Sequence, residues 1–192
     1  GYTMSITHLP DIGGLGFGAA ATEIFHEGLR LPIVKLVEQG KTNPFIIDLI
    51  QANVRTPEST VGDLIANVTC NEVGGRQLLE FMDEYNINDL VPLSDAIRSQ
   101  SELAMRNKIQ EIKNGSYKNQ IMIEAIDESI PLECTVEVKD ESIDISFDGT
   151  GECVKRGINV PFCYTNAMSL YSIKCITIPS LPNNEGATRP IN

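Results

Sequence analysis

The chain has 192 residues, 42% of them apolar, and 26 acidic against 15 basic side chains give a net charge of −11. That is enough chain for one domain, or one and a half, with a core of ordinary apolar content, and the acidic balance excludes the basic footprint that a nucleic-acid backbone selects. Five cysteines with no C-x-x-C pair suggest neither a disulfide framework nor a zinc ribbon, and apolar runs too short for a bilayer lead us to expect a cytosolic protein.

In chain order, Tyr2 to Thr7 alternates weakly and predicts a short strand that delivers His8 at its end. Residues 13–21 are small and glycine-rich, a loop composition, and Thr22 to Gly28 frame a turn around His26. Pro32 makes residues 29–36 an edge strand or an extended connection, and Gln39-Gly40-Lys41 is a turn. Asn43 as N-cap with Pro44 at the first position opens a helix with Phe45, Ile46, Leu49, Ile50 and Val54 on its apolar face. A second helix runs from Thr56-Pro57 to about Tyr85, with Gly74-Gly75 as a kink or close-packing point. A third spans residues 93–114 and stops at Gly115, burying Ile97, Leu103, Ala104, Ile109 and Ile112.

From Tyr117 the period changes to two. Residues 121–126, 132–138 and 143–147 read as three strands of an antiparallel meander, joined through Asp127-Glu128-Ser129 and Lys139-Asp140-Glu141. A helix is expected from Pro161 to about Tyr171, followed by loop. The expected class is α+β: a metal-loop and helical part over 1–115, with a central helical layer, and a β-rich part with one short helix over 116–192.

The only two histidines fall in His8-Leu9-Pro10-Asp11-Ile12-Gly13-Gly14 and in Phe25-His26-Glu27-Gly28-Leu29. Two imidazoles and a carboxylate, His8, His26 and Asp11, suit Zn, Mn or Fe. Pro10 keeps Leu9 out of the helical region, so side chains three apart converge in a turn. The plainer reading makes His8 a hydrogen-bonded loop residue, Asp11 an Asx-turn acid and His26 a helix-end histidine. Gly13 and Gly14 let the backbone approach a ligand. Asp148-Gly149-Thr150-Gly151 reads as an anion nest or a plain loop, and Arg189 is available to a carboxylate or phosphate. Asp63 is expected to pair with Arg55 or Arg76.

These strings, with Glu23 to Pro32, Asn53-Val54-Arg55-x-Pro57, Gly62-Asp63-Leu64-x-Ala66, Phe147-Asp148-Gly149-Thr150, Gly157-Ile158-Asn159 and Pro182-Asn183-Asn184-x-Gly186-x-x-Arg189-Pro190-Ile191, occur in the order of the hydantoinase B and oxoprolinase family. The chain resembles that family, which includes the large subunits of acetone and acetophenone carboxylases. It departs from the usual pattern at Ser146, often an acid, and in a shorter segment between Gly14 and Glu23.

The resemblance implies an internal piece of a larger subunit. It implies a metal on His8, Asp11 and His26 with a fourth ligand from sequence before Gly1, substrate or phosphate contacts from Gly13, Gly14, Asp148, Thr150 and Arg189, and a hydantoinase A-like partner that binds ATP-Mg. No catalytic residue is assigned. Opening of a cyclic amide activated by the partner is the expected chemistry; capture of a ketone enolate by activated bicarbonate is the alternative. A noncatalytic segment that docks a partner is the third reading.

Overall fold

The computed structural model describes every residue except Gly1, Tyr2, Leu9, Phe17 and Asp127; the start of the expected first strand and one residue of the expected first meander turn therefore lie outside the described residues. The chain divides into two compact units, residues 1–88 with 155–157, and residues 89–154 with 158–192. The third helix lies in the second unit, where it contacts the last helix, the fourth helix and the last strand.

In the first unit the expected N-terminal strand does not form. Residues 3–7 have no regular structure, and the Thr3 and Ser5 hydroxyls donate to the Asn71 and Asn67 carbonyls, at 3.2 and 3.3 Å. Residues 29–36 are irregular, so the extended connection holds. A two-residue hairpin, β1 (Val37–Glu38) and β2 (Lys41–Thr42), turns through Gln39 and Gly40, both at positive φ.

Helix α1 (Pro44–Asn53) starts as its sequence dictates. Asn43 Oδ1 accepts the Phe45 N–H at 3.1 Å, Pro44 occupies the first turn, and Ile46 and Ile50, one turn apart, are buried. Phe45 remains exposed. Helix α2 (Pro57–Glu84) continues unbroken through Gly74-Gly75, and Gly74 is a point of approach, its missing Cβ facing the Thr3 methyl at 3.7 Å. None of its residues is buried.

In the second unit α3 (Val91–Ile109) ends before the expected stop, and Gly115 begins a strand. Its buried stripe is Ser101, Met105 and Ile109, each four residues from the next, while the expected Ile97 and Leu103 are exposed. Strands β3 (Gly115–Ala125), β4 (Glu128–Lys139) and β5 (Ser142–Ser146) form the expected meander in the order β3-β4-β5, all antiparallel. Cross-strand pairs Ile123↔Ile130, Ile121↔Leu132, Val136↔Ile145 and Val138↔Ile143 put one apolar face on the sheet.

Met105, Ile109, Val138 and Ile143 form the core where α3 meets that face. Helix α4 (Phe162–Thr177) follows Pro161, two turns longer than expected. A short helix, α5 (Glu185–Thr188), capped by the Asn184 side chain on the Ala187 N–H, replaces the expected loop. Residues 190–192 then run beside β5, with Ile143 N–H donating to the Pro190 carbonyl at 2.9 Å and Ile145 N–H to the Asn192 carbonyl at 2.8 Å.

Candidate functional site

The expected site residues divide between the units. In the first unit, the loop that carries Asp11, Gly13 and Gly14 is tied to the turn that carries His26. Leu29 N–H donates to the Pro10 carbonyl at 3.2 Å and Gly16 N–H to the His26 carbonyl at 3.1 Å. Gly14 sits where a Cβ would stand 2.9 Å from the His26 carbonyl oxygen, so the backbone approach read from the glycine pair is present, and its neighbour is the second histidine segment.

Arg55 joins both pieces of that loop. Its N–H donates to the Asp11 carbonyl at 2.7 Å and its Nε lies 3.4 Å from Asp11 Oδ2, while Asp11 Oδ1 accepts the Gly13 N–H at 2.6 Å. Asp11 is thus the Asx-turn acid of the plainer reading and is also ion-paired. Gly13 has a φ of 85°, and a Cβ there would stand 3.1 Å from an Arg55 guanidinium nitrogen. The sequence flagged Arg55 as part of N-V-R-x-P and as a possible partner of Asp63. Its pairing with Asp11 became visible once the chain was folded. Asp63 is exposed, and the two arginines expected beside it pair with Asp11 and Glu80 instead.

His26 closes a one-turn 3-10 helix, Ile24–His26. Its Nε2 lies 3.1 Å from Glu23 Oε1, while Nδ1 is buried without a hydrogen-bond partner. A neutral imidazole that donates Nε2–H to the carboxylate keeps a lone pair on Nδ1, the tautomer that a carboxylate fixes in metal-binding histidines. A divalent cation therefore meets suitable donor chemistry at His26. The full set does not close: Asp11 is engaged by Arg55 and Gly13, and among the described residues no three His, Cys, Asp or Glu side chains are grouped to hold a metal ion. His8 is exposed.

In the second unit the three remaining candidates are held internally. The Thr150 hydroxyl accepts the Glu133 N–H and donates to the Glu133 carbonyl, both at 3.1 Å, which straps the 148–151 loop to β4. Asp148 is exposed, and its N–H donates to Ser146 Oγ at 3.1 Å, so the residue that departs from the family's acid caps the loop instead. Arg189 Nη1 lies 3.1 Å from Glu102 Oε2 and its Nη2 3.3 Å from Glu185 Oε1. Those contacts, Glu102 first, raise the guanidinium pKa further and occupy the group expected to bind an anion.

Sequence reasoning missed Gly186: a Cβ there would collide with the Arg98 carbonyl, so α5 lies directly on the backbone of α3. Asn184 Nδ2 donates to Ser101 Oγ at 2.8 Å across the same contact. The Asn184-x-Gly186-x-x-Arg189 string was flagged only as a family motif; a glycine inside a helical turn can mark close packing, but a loop was expected there. Among the described residues, no helix is long and apolar enough to cross a membrane.

Comparison with known proteins covers the whole chain. The hydantoinase B/oxoprolinase family model matches residues 1–192. The putative B-type subunit of a D-/L-hydantoinase from a Pseudomonas species is 27% identical over 209 residues, covering 100% of this chain and 35% of that protein. The crystal structure of the ATP-dependent caprolactamase from Pseudomonas jessenii superposes with a TM-score of 0.80 at 27% identity, covering 95% of this chain and 32% of that one. A nucleotide-free acetone carboxylase superposes with a TM-score of 0.79 at 16% identity, over 97% of this chain and 27% of that one, which shows a shared fold. The chain spans between 16% and 35% of the length of the curated relatives it matches. From end to end, the chain belongs to the hydantoinase B/oxoprolinase family.

Proposed function

We propose that this chain is part of the B-type subunit of an ATP-dependent cyclic amide hydrolase of the hydantoinase or oxoprolinase kind, working with an A-type subunit that binds ATP-Mg. The observation that carries the reading is the family match over all 192 residues, reinforced by likeness to a B-type hydantoinase subunit and to a caprolactamase. In this reading the partner transfers the ATP γ-phosphoryl group to the amide oxygen. Water adds to the activated carbon, the ring C–N bond breaks and the nitrogen takes a proton, which leaves an acyl phosphate; a second water then attacks it, releasing phosphate and the open-chain carboxylate.

The first unit's loops would take the substrate. Asp11, held by Arg55 and Gly13, fixes one wall; Gly13 and Gly14, whose Cβ positions face Arg55 and the His26 carbonyl, would contact the substrate through their backbone. Zn, Mn or Fe on His8, Asp11 and His26 belongs to the same proposal, supported by the donor types and the unpartnered His26 Nδ1; it would require Asp11 to leave Arg55 and the three side chains to be brought together. Such an ion would supply Lewis-acid polarisation of the carbonyl. No step above depends on it.

The deciding experiment is an assay of the purified two-subunit complex. ATP-dependent opening of hydantoin, oxoproline or caprolactam supports the proposal; ATP- and bicarbonate-dependent ketone consumption would replace it with the carboxylase reading. Plasma mass spectrometry on the same subunit should find near-stoichiometric metal that is lost in His8→Ala and in His26→Ala. Full activity of His8→Ala would favour the docking-segment reading.

A further inference from the structure

Strand β3 has eleven residues and pairs on one side only, with β4. The opposite end of the sheet is closed, because residues 190–192 lie along β5. Among the described residues β3 is thus the open edge of the three-stranded sheet, and ten of its eleven residues are exposed. Long open edges are ordinarily blunted by charge, proline or a bulge. Ile121, Met122 and Ile123 sit mid-strand, exposed and without a charge among them.

A second observation lies beside that edge. The apolar face that packs on α3 around Val138 and Ile143 continues past α3 into a groove of about 680 Å³, bounded by α4. Ile123, Ile130, Leu132 and Ile145 form its floor, and Tyr164 and Met168 of α4 its wall. The volume alone would suit a small ligand; its lining is mainly apolar, with Glu124, Glu152 and Asn159 among the polar exceptions. It has the composition of a core whose last side chains come from elsewhere.

We propose that β3 receives an added strand from the same family subunit, from the part of its length outside the matched third, and that this strand drops alternate apolar side chains into the groove. The main chain of the strand satisfies the open N–H and C=O row, and the period of two delivers every second side chain to the apolar face. A second copy of this chain is disfavoured, because each copy brings a net charge of −11. The inference is independent of whether the complex opens amides or carboxylates ketones.

The test uses the full-length subunit in its complex, with benzoylphenylalanine placed at Ile121 or at Met168 and the cross-linked peptides identified by mass spectrometry. Both positions should capture one and the same peptide from outside these 192 residues, within one polypeptide. Capture of a second copy, seen as a doubled mass on a denaturing gel, capture of the partner subunit, or no capture at either site overturns the proposal. Amide exchange on the unmodified complex gives a readout without substitution: β3 should exchange within about tenfold of central β4, whereas exchange hundreds of times faster on the order expected for an open edge overturns it.

Discussion

Two guanidinium groups meet at Glu102: Arg106 donates to Oε1 through Nε and Nη2 at 3.0 and 2.7 Å, and Arg189 to Oε2 at 3.1 Å. The Arg106 hydrogen bonds above all, then Arg189, hold this carboxyl below its ordinary value of about 4.3. A depressed acid stabilises the fold above its unfolded pKa and releases that stability as pH falls through its folded value. Thermal unfolding measured across acid pH should therefore show stability falling as pH drops through the carboxylate range, with a shallower acid dependence in Glu102→Gln. Gly186→Ala forces the α5 turn off the Arg98 carbonyl and should lower stability by about 1–3 kcal/mol in thermal unfolding. Among the thiols, burial raises the Cys134 pKa, whereas Cys70, Cys153, Cys163 and Cys175 are exposed, so Cys134 should react last with iodoacetamide. Gly14→Ala presses on the His26 carbonyl, and under the proposed function, with this loop taking substrate, it should cost the complex roughly tenfold or more in turnover.

At the scale of elements, what was legible in the sequence was local. Asn43-Pro44 announced α1 because the cap and the fixed proline φ act within one turn; Asn43→Ala should cost about 1 kcal/mol in chemical denaturation. The meander was legible because Val136, Ile143 and Ile145 alternate with polar neighbours and the apolar run 121–123 sits between Gln120 and Glu124. Failures came where a distant partner decides. Residues 3–7 alternate like a strand, yet their hydroxyls find carbonyls of α2 in place of a neighbouring strand. Leu103 and Ile97 look like core, but the side of α3 that meets β5 and α5 carries Ser101 and Met105. For the site, the histidine segments and the glycine approach were readable from residue type, whereas the hold of Arg55 on Asp11 and of Glu102 on Arg189 depends on pairs 44 and 87 residues apart in sequence.

Across the whole molecule, fully buried side chains are few for a chain of this length, and large apolar groups such as Ile33, Leu79, Phe162 and Ile176 stand exposed. Within the first unit α2 is the extreme case. It is about 42 Å long at 1.5 Å per residue, with Leu64 and Met82 at most half-buried and Leu78 and Leu79 exposed. A helix with so little burial is held mostly by its own backbone, and Gly74-Gly75, the poorest helix formers in it, lie immediately before Arg76. Arg76 is also the one lysine or arginine in α2. Within α2, trypsin should therefore cut at the Arg76–Gln77 bond, after the irregular segment that carries Arg30 and Lys35, and a family subunit that lays further polypeptide along α2 would protect that bond in the same digestion.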